Sequence, residues 1–408
     1  MRPLNRWVTP VAVAATLVAA LIAAPAVSAA TTAADATIMA ACTAPAWAEG
    51  THYPAGTQVT YSGRLYRARQ SHTPPPGAGW TPAAVPALWE DLGACDSTPP
   101  TDPPPTDPPP TDPPPTTAGL PHAPYVDMGS WPTPSLPAMV SSGNLKHVTL
   151  AFITASACKA MWFNAYDPRQ GWARDQIDAV RARGGDVKIS FGGATGIELA
   201  QACTSVSALQ AEYQAVVSAY NLKYIDLDIE GGATGDPASV ARRSQALAAL
   251  QRANPGLRVS FTLPVLPEGL TADGLGVVRS ARDAGVNVDL VNVMAMDYYR
   301  NGDYGQFAVD AANSTFNQIK SLYPGRTDAQ VWKMVGVTPM LGANDDGRIY
   351  DQADARQLVS FAQGKHLGML SFWELGRDAN ACSGPLYRCT NIPQQPYEFS
   401  RIFAAYNG

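Results

Sequence analysis

Several absences in this chain exclude whole classes of function. Lys and Arg number 29 against 34 Asp and Glu, a formal net charge of −5, and no basic run accompanies the aromatic residues. The electrostatic footprint that a nucleic acid requires is therefore missing, and no nucleic-acid partner is expected. None of the six cysteines falls in a Cys-x-x-Cys spacing, which argues against a zinc or thiol redox site. After the first 29 residues no segment is long and apolar enough to cross a bilayer, so no membrane span is expected. What is present is 408 residues, 46% of them hydrophobic, enough for two or three domains around a sizeable core.

The N-terminus carries Arg2 and Arg6, then an apolar stretch over 11–27, then the small residues Val27-Ser28-Ala29. That order describes a secretory signal peptide over 1–29, with Pro25 and the short apolar length arguing against an anchor. Residues 30–41 are expected to be a flexible segment. An exported chain with six cysteines is expected to form three disulfides. Cys42 and Cys95 bracket a compact segment, Cys382 and Cys389 lie close together, and Cys158 is left with Cys203. Between 96 and 118 the sequence repeats Thr-Asp-Pro-Pro-Pro three times. Proline cannot donate to a helix or sheet, so this tract is expected to extend as a polyproline II tether of roughly 60 Å. Residues 42–95 ahead of it hold six aromatic rings in a module too short to bury them all. Tyr53, Tyr61, Tyr66 and Trp89 are expected in its core. Trp80, within a Pro/Gly loop, is expected to be exposed and to offer an indole face for stacking on a sugar.

From 119 to 408, short β-branched runs alternate with helical patterns. Strands are expected at 123–128, 146–154, 186–191, 223–229, 257–263, 288–296, 334–340 and 368–373, with helices ending in glycine, as where 172–183 meets Gly184 or 271–284 meets Gly285. Eight such units suit an α/β fold of the (β/α)8 TIM-barrel type, preceded by a small all-β module. The fourth strand reads Tyr224-Ile225-Asp226-Leu227-Asp228-Ile229-Glu230-Gly231-Gly232. Strand side chains alternate between two faces, so the three carboxyls share one face and the apolar residues the other. A solvated acidic face would mix in Thr, Lys and Arg. A calcium loop counted from Asp226 would need Glu at its twelfth position, where Pro237 stands, so no metal is expected. The remaining reading is a catalytic cluster facing into the barrel, with Asp226 deepest and Glu230 last on its strand at the mouth, where the active sites of such barrels lie.

These residues resemble those of family 18 glycoside hydrolases, the bacterial chitinases, over nearly all of 119–408. The Asp-x-Asp-x-Glu of Asp226, Asp228 and Glu230 is the most specific match. Ser190-Phe191-Gly192-Gly193 resembles the family's Ser-x-Gly-Gly element, and Trp373 in Ser371-Phe372-Trp373-Glu374-Leu375 stands where the family carries a tryptophan under the cleaved sugar. Two departures are visible. Lys223-Tyr224 replaces the Asp-Gly often seen before the motif, and on strand six Met294-Ala295-Met296-Asp297-Tyr298-Tyr299 has Met296 where tyrosine is usual. The resemblance implies Asp297, with Met296 or Tyr298, in the substrate site, together with Ser190, Gly192 and Tyr125. The N-terminal module is similar to chitin-binding modules of carbohydrate-binding families 5 and 12, which implies Trp80 and Trp47 as ring contacts.

The activity implied is secreted, extracellular, endo-acting hydrolysis of chitin or other N-acetylglucosamine polymers by a monomer without a cofactor. Glu230 would be the general acid, its pKa raised by Asp228 and burial. Asp228 projects beside Glu230 and is poorly placed as a nucleophile, so the resemblance implies attack by the substrate's own N-acetyl carbonyl and retention of the anomer. Asp228 would orient the acetamido group, while Asp226 would hold a proton and tune Asp228. No connection between strands is long enough for an inserted domain, which implies an open cleft. Two rival readings are an endo-β-N-acetylglucosaminidase on N-glycans and a non-catalytic chitin-binding lectin.

Overall fold

A computed structural model describes residues 44–75, 80–94 and 119–408, which fall into two compact units. The signal peptide, the segment 30–41, the Cys42–Cys95 pairing and the 96–118 tether lie outside the described residues.

The N-terminal unit is a three-stranded antiparallel sheet of Gln58–Tyr61, Arg64–Ala68 and Trp89–Ala94. Its first hairpin turns through Ser62 and Gly63, both at positive φ, the backbone that a two-residue loop needs to match strand twist. Tyr53, Val59, Tyr66 and Trp89 form the core, with Tyr53 edge-on to Trp89 at 5.2 Å between ring centroids. Tyr61 and Trp47 pack at the border of this core, edge to face at 5.4 Å. Trp80 is 41% exposed.

The C-terminal unit is a barrel of parallel strands. In chain order they are Tyr125–Asp127, His147–Ala155, Asp186–Gly192, Tyr224–Asp228, Arg258–Leu266, Val288–Ala295, Val335–Pro339 and Met369–Leu370. Each pairs with the next in sequence. The ring closes where the amides of Ala123 and Tyr125 donate to the carbonyls of Leu370 and Phe372 at 3.3 and 3.1 Å. All eight expected strands are present. The last is two residues long rather than six, although Met340 and Trp373 form one further bridge above it.

Alternation decides what each strand shows to each side. On the fourth strand Ile225 and Leu227 are fully buried in the apolar layer beneath the helices, while Asp226 and Asp228 turn inward. The third strand sends Val187, Ile189 and Phe191 outward and Lys188 and Ser190 inward. Several of the helices that cover the barrel start at side-chain caps, among them Asp236 for Pro237–Ala253, Thr271 for Ala272–Asp283 and Asp351 for Gln352–Lys365. Each cap oxygen satisfies amides that the first turn leaves without partners. Disulfides join Cys158 to Cys203 and Cys382 to Cys389. Between the seventh and eighth strands lie a small hairpin, Gly342–Ala343 with Ile349–Tyr350, and the single helix Gln352–Lys365. No helix among the described residues is long and apolar enough to cross a membrane.

Candidate active site

The barrel interior is polar through its middle. Asp226, 1% exposed, lies among hydroxyls from strands one, three and five. Tyr125 Oη and Ser190 Oγ donate to its Oδ2 at 3.0 and 2.8 Å, and Ser260 Oγ donates to Oδ1 at 2.5 Å. Thr262 Oγ1 lies 3.0 Å from both oxygens. Asn292 Nδ2 donates to Thr262 Oγ1 at 3.0 Å and takes the Thr338 hydroxyl at 2.9 Å on its own oxygen. This network answers how an interior strand tolerates a carboxylate. Hydrogen bonds to a charged group contribute about 1.5–3 kcal/mol each, and donors converging on one carboxyl favour its ionised form.

Asp228, one pleat nearer the mouth, has the opposite surroundings. It is 4% exposed, and its Oδ1 has no partner among the described residues. Burial, with the Glu230 and Asp226 carboxyls adding repulsion, pushes its pKa well above the ordinary range. Glu230 follows two residues later. The strand itself ends at Asp228, and Ile229 N still bonds to Thr262 O at 3.0 Å, so Glu230 stands just past the last strand residue. Burial and the nearby Asp297 push it up to about 7. Asp297 is itself pushed up to about 6 by burial, against the pull of the Asp345 amide at 2.7 Å.

Asp228, Glu230 and Asp297 line a cleft of about 550 Å³ at the C-terminal ends of the strands, together with Tyr125, Met296 and Trp373. Trp373 stacks on Phe152 at 5.7 Å and 15°, with Tyr125 at 5.8 Å, making an aromatic wall. Four of the residues singled out from the sequence in this unit are not part of the lining: Asp226, beneath it, and Ser190, Gly192 and Tyr298. Ser190 is fully buried and spends its hydroxyl on Asp226. Gly192 works through its backbone: at φ +103°, a Cβ would meet the Asp228 carbonyl at 2.0 Å, so glycine is what lets strands three and four approach. Tyr298 is 5% exposed and turned into an aromatic cluster with Tyr304 and Phe307, at 5.1 and 5.4 Å. Its hydroxyl has no partner among the described residues, and Met296, not Tyr298, lines the cleft just past the end of strand six.

Sequence reasoning missed Phe152, Thr262, Asp345 and Arg377. Arg377 is fully buried and lines the cleft. Its Nη2 donates to the Leu341 and Ala343 carbonyls at 2.6 and 2.7 Å, while Nε and Nη1 have no partner among the described residues. Burial lowers it to about 10. Inward alternation on strand five would have found Thr262. Nothing local marks Arg377, which lies in the short helix Leu375–Asn380.

The description "Glycosyl hydrolases family 18" matches residues 124–346, more than half of the chain. The chain belongs to glycosyl hydrolase family 18. Its N-terminal unit matches carbohydrate-binding module family 5/12 over residues 46–90. Among family relatives, a probable bifunctional chitinase/lysozyme of Escherichia coli is 36% identical over 306 residues, covering 70% of this chain. Endochitinase 11 of Metarhizium anisopliae is 36% identical over 275 residues, covering 64%. The chain spans only 34% and 53% of the length of these two curated relatives. The solved catalytic domain of a hyperthermophilic chitinase from Pyrococcus furiosus is 35% identical, with a TM-score of 0.65, covering 72% of this chain and 98% of that one.

Proposed function

We propose that this family 18 member is a secreted chitinase that cuts β-1,4 bonds between N-acetylglucosamine units internally, with retention of configuration. The observation that carries this reading is the pairing of Glu230, raised to about 7 at the mouth of the cleft, with a neighbouring Asp228 whose Oδ1 lacks a partner. Glu230 is a protonated acid near neutral pH and gives its proton to the glycosidic oxygen as the bond breaks. The acetamido carbonyl oxygen of the same sugar attacks the anomeric carbon from the opposite face, forming a cyclic oxazolinium ion. Asp228 accepts the acetamido N–H on its free oxygen and stabilises the developing charge, with Asp226 as the fixed negative charge behind it. Water then attacks the anomeric carbon and returns a proton to Glu230, which restores the acid and the original anomer.

Trp373 supplies a face for the sugar at the cleaved bond. The connections between barrel strands carry no inserted domain to wall the cleft, which favours internal attack. The module with exposed Trp80 favours an insoluble polymer, because a tethered binding site raises the local concentration of substrate. Relatives named as chitinases accord with this. The leader-like N-terminus supports export.

The test is to incubate the purified chain with chitin, with fully deacetylated polymer and with a high-mannose glycoprotein, and to identify products by mass. Oligomers from chitin alone are expected. Comparable release from the deacetylated polymer would sink substrate assistance, and cleavage of the glycoprotein alone would replace the substrate class. Disaccharide as the only early product would overturn internal cleavage.

A further inference from the structure

Below Asp226, on the side away from the cleft, the barrel holds a cation that the mechanism above does not use. Lys188 lies two residues before Ser190 on the third strand, and alternation points both inward. It is 4% exposed. Its Nζ donates to Ser260 Oγ at 3.1 Å and approaches Met369 Sδ at 3.6 Å. Ser260 Oγ in turn donates to Asp226 Oδ1 at 2.5 Å. A serine that accepts from an ammonium has its single proton free to give away, so the direction of the chain is set: ammonium to serine to carboxylate. An unpaired ammonium in a barrel interior costs several kcal/mol, and a merely space-filling residue here would be apolar, as Met369 is.

We propose that Lys188 is a positioning residue, a buried cation that acts through Ser260 to hold Asp226 as a carboxylate and so confines the mobile proton to Asp228 and Glu230. This rests on the catalytic reading above. The charges whose fields reach Lys188 come from three strands. Burial lowers the Lys188 pKa, and Arg258 on strand five adds to that; Asp226 on strand four and Asp289 on strand six work the other way and favour its ammonium form. Asp289 is 2.5 Å from Arg258 Nη2, which leaves Asp226 as the counter-charge linked to Lys188 by hydrogen bonds. On the strand-eight side, burial brings His122 down to about 4, so it adds no charge at neutral pH. Facing Asp226 itself are Tyr125, whose proton burial retains, and Asp228 above.

The consequence is a particular failure when the cation is removed. Without it, Asp226 takes up a proton at higher pH, the negative charge behind Asp228 disappears, and turnover falls on the acid side. Lys188→Met keeps the shape and removes the charge. The acid limb of its kcat/KM profile on chitooligosaccharide is expected to move up by about one pH unit, roughly tenfold in rate below the limb, with KM changed less than twofold because Lys188 touches no substrate. A profile of unchanged shape, scaled down at every pH, would mean a structural role and overturn the inference. Ser260→Ala keeps the lysine but breaks the link, and is expected to move the same limb; if Lys188→Met does not fold, that variant decides.

A second readout needs no turnover. Infrared difference spectra of variant minus parent near pH 6 are expected to show one additional protonated carboxyl, and its absence would overturn the inference. Should the parent chain not hydrolyse chitooligosaccharide, the catalytic reading fails alone, and the infrared result still decides the charge on Asp226.

Discussion

The floor and the mouth of the barrel treat the same chemical group in opposite ways. Asp226 and Glu230 are carboxyls four residues apart on one face of one segment, yet the first accepts hydroxyls from Tyr125, Ser190, Ser260 and Thr262. The second has burial and another acid against it. Donors stabilise negative charge, and desolvation without donors opposes it. One strand thus carries a carboxyl held by hydroxyls at depth and an acid of raised pKa at the rim, with Asp228 between them. Glu230 sits where a substrate can reach it, whereas Asp226 is reached only by protein. The contrast teaches that the motif's three acids are not interchangeable, although their spacing treats them alike.

Removing the rim acid should have the largest effect. Glu230→Gln is expected to lower kcat on chitooligosaccharide by at least about a thousandfold while binding to insoluble chitin stays unchanged in a pull-down; substantial residual turnover would end its assignment as the acid. Next comes pH. Glu230 works protonated and its pKa is raised to about 7 from 4.5, so kcat is expected to fall about tenfold per unit as pH rises through and beyond about 7. The stability term has the same sign. The protonated form's contribution is complete below 4.5 and lost as pH rises through about 7. Thermal unfolding should therefore show a smaller loss of Tm toward alkaline pH in Glu230→Gln than in the parent.

The floor should respond differently. Thr262→Val removes a donor from Asp226 and the partner of Asn292, and is expected to cost about 1–3 kcal/mol of stability together with a roughly tenfold fall in kcat. Loss of activity with no loss of stability would erase the distinction between floor and mouth. Smallest of all, Tyr298→Phe removes a buried hydroxyl that has no partner and should change kcat and KM less than twofold, with stability equal or slightly higher. A large rise in KM would return Tyr298 to the cleft.

Much of this was legible in the residues themselves. The strand–helix alternation announced eight units because the strands are apolar outward and several helices have side-chain caps or stop at glycine, all local signals. The expected boundaries agree with the strands to within a few residues, least well at the eighth, whose pairing is supplied by neighbours rather than by its own run. The Cys382–Cys389 pairing followed from proximity along the chain, and Cys158–Cys203 was the pair left over. Trp80 was expected outside and is 41% exposed. Tyr298 was less legible: alternation predicts only which side a strand residue takes. Past the end of strand six the backbone turns at Asp297, φ +49°, and the period no longer applies.

Period-two spacing of Asp226, Asp228 and Glu230 sufficed to put three carboxyls on one inner face, because side-chain direction in a strand is a local property of the backbone. Their charges were not local. What surrounds the deepest acid depends on hydroxyls from strands one, three and five and on Lys188 beneath them, groups separated in sequence by tens of residues. Only closing the barrel brings those groups within hydrogen-bond distance, and electrostatics in a water-excluded interior is decided by whatever lies within a few ångströms.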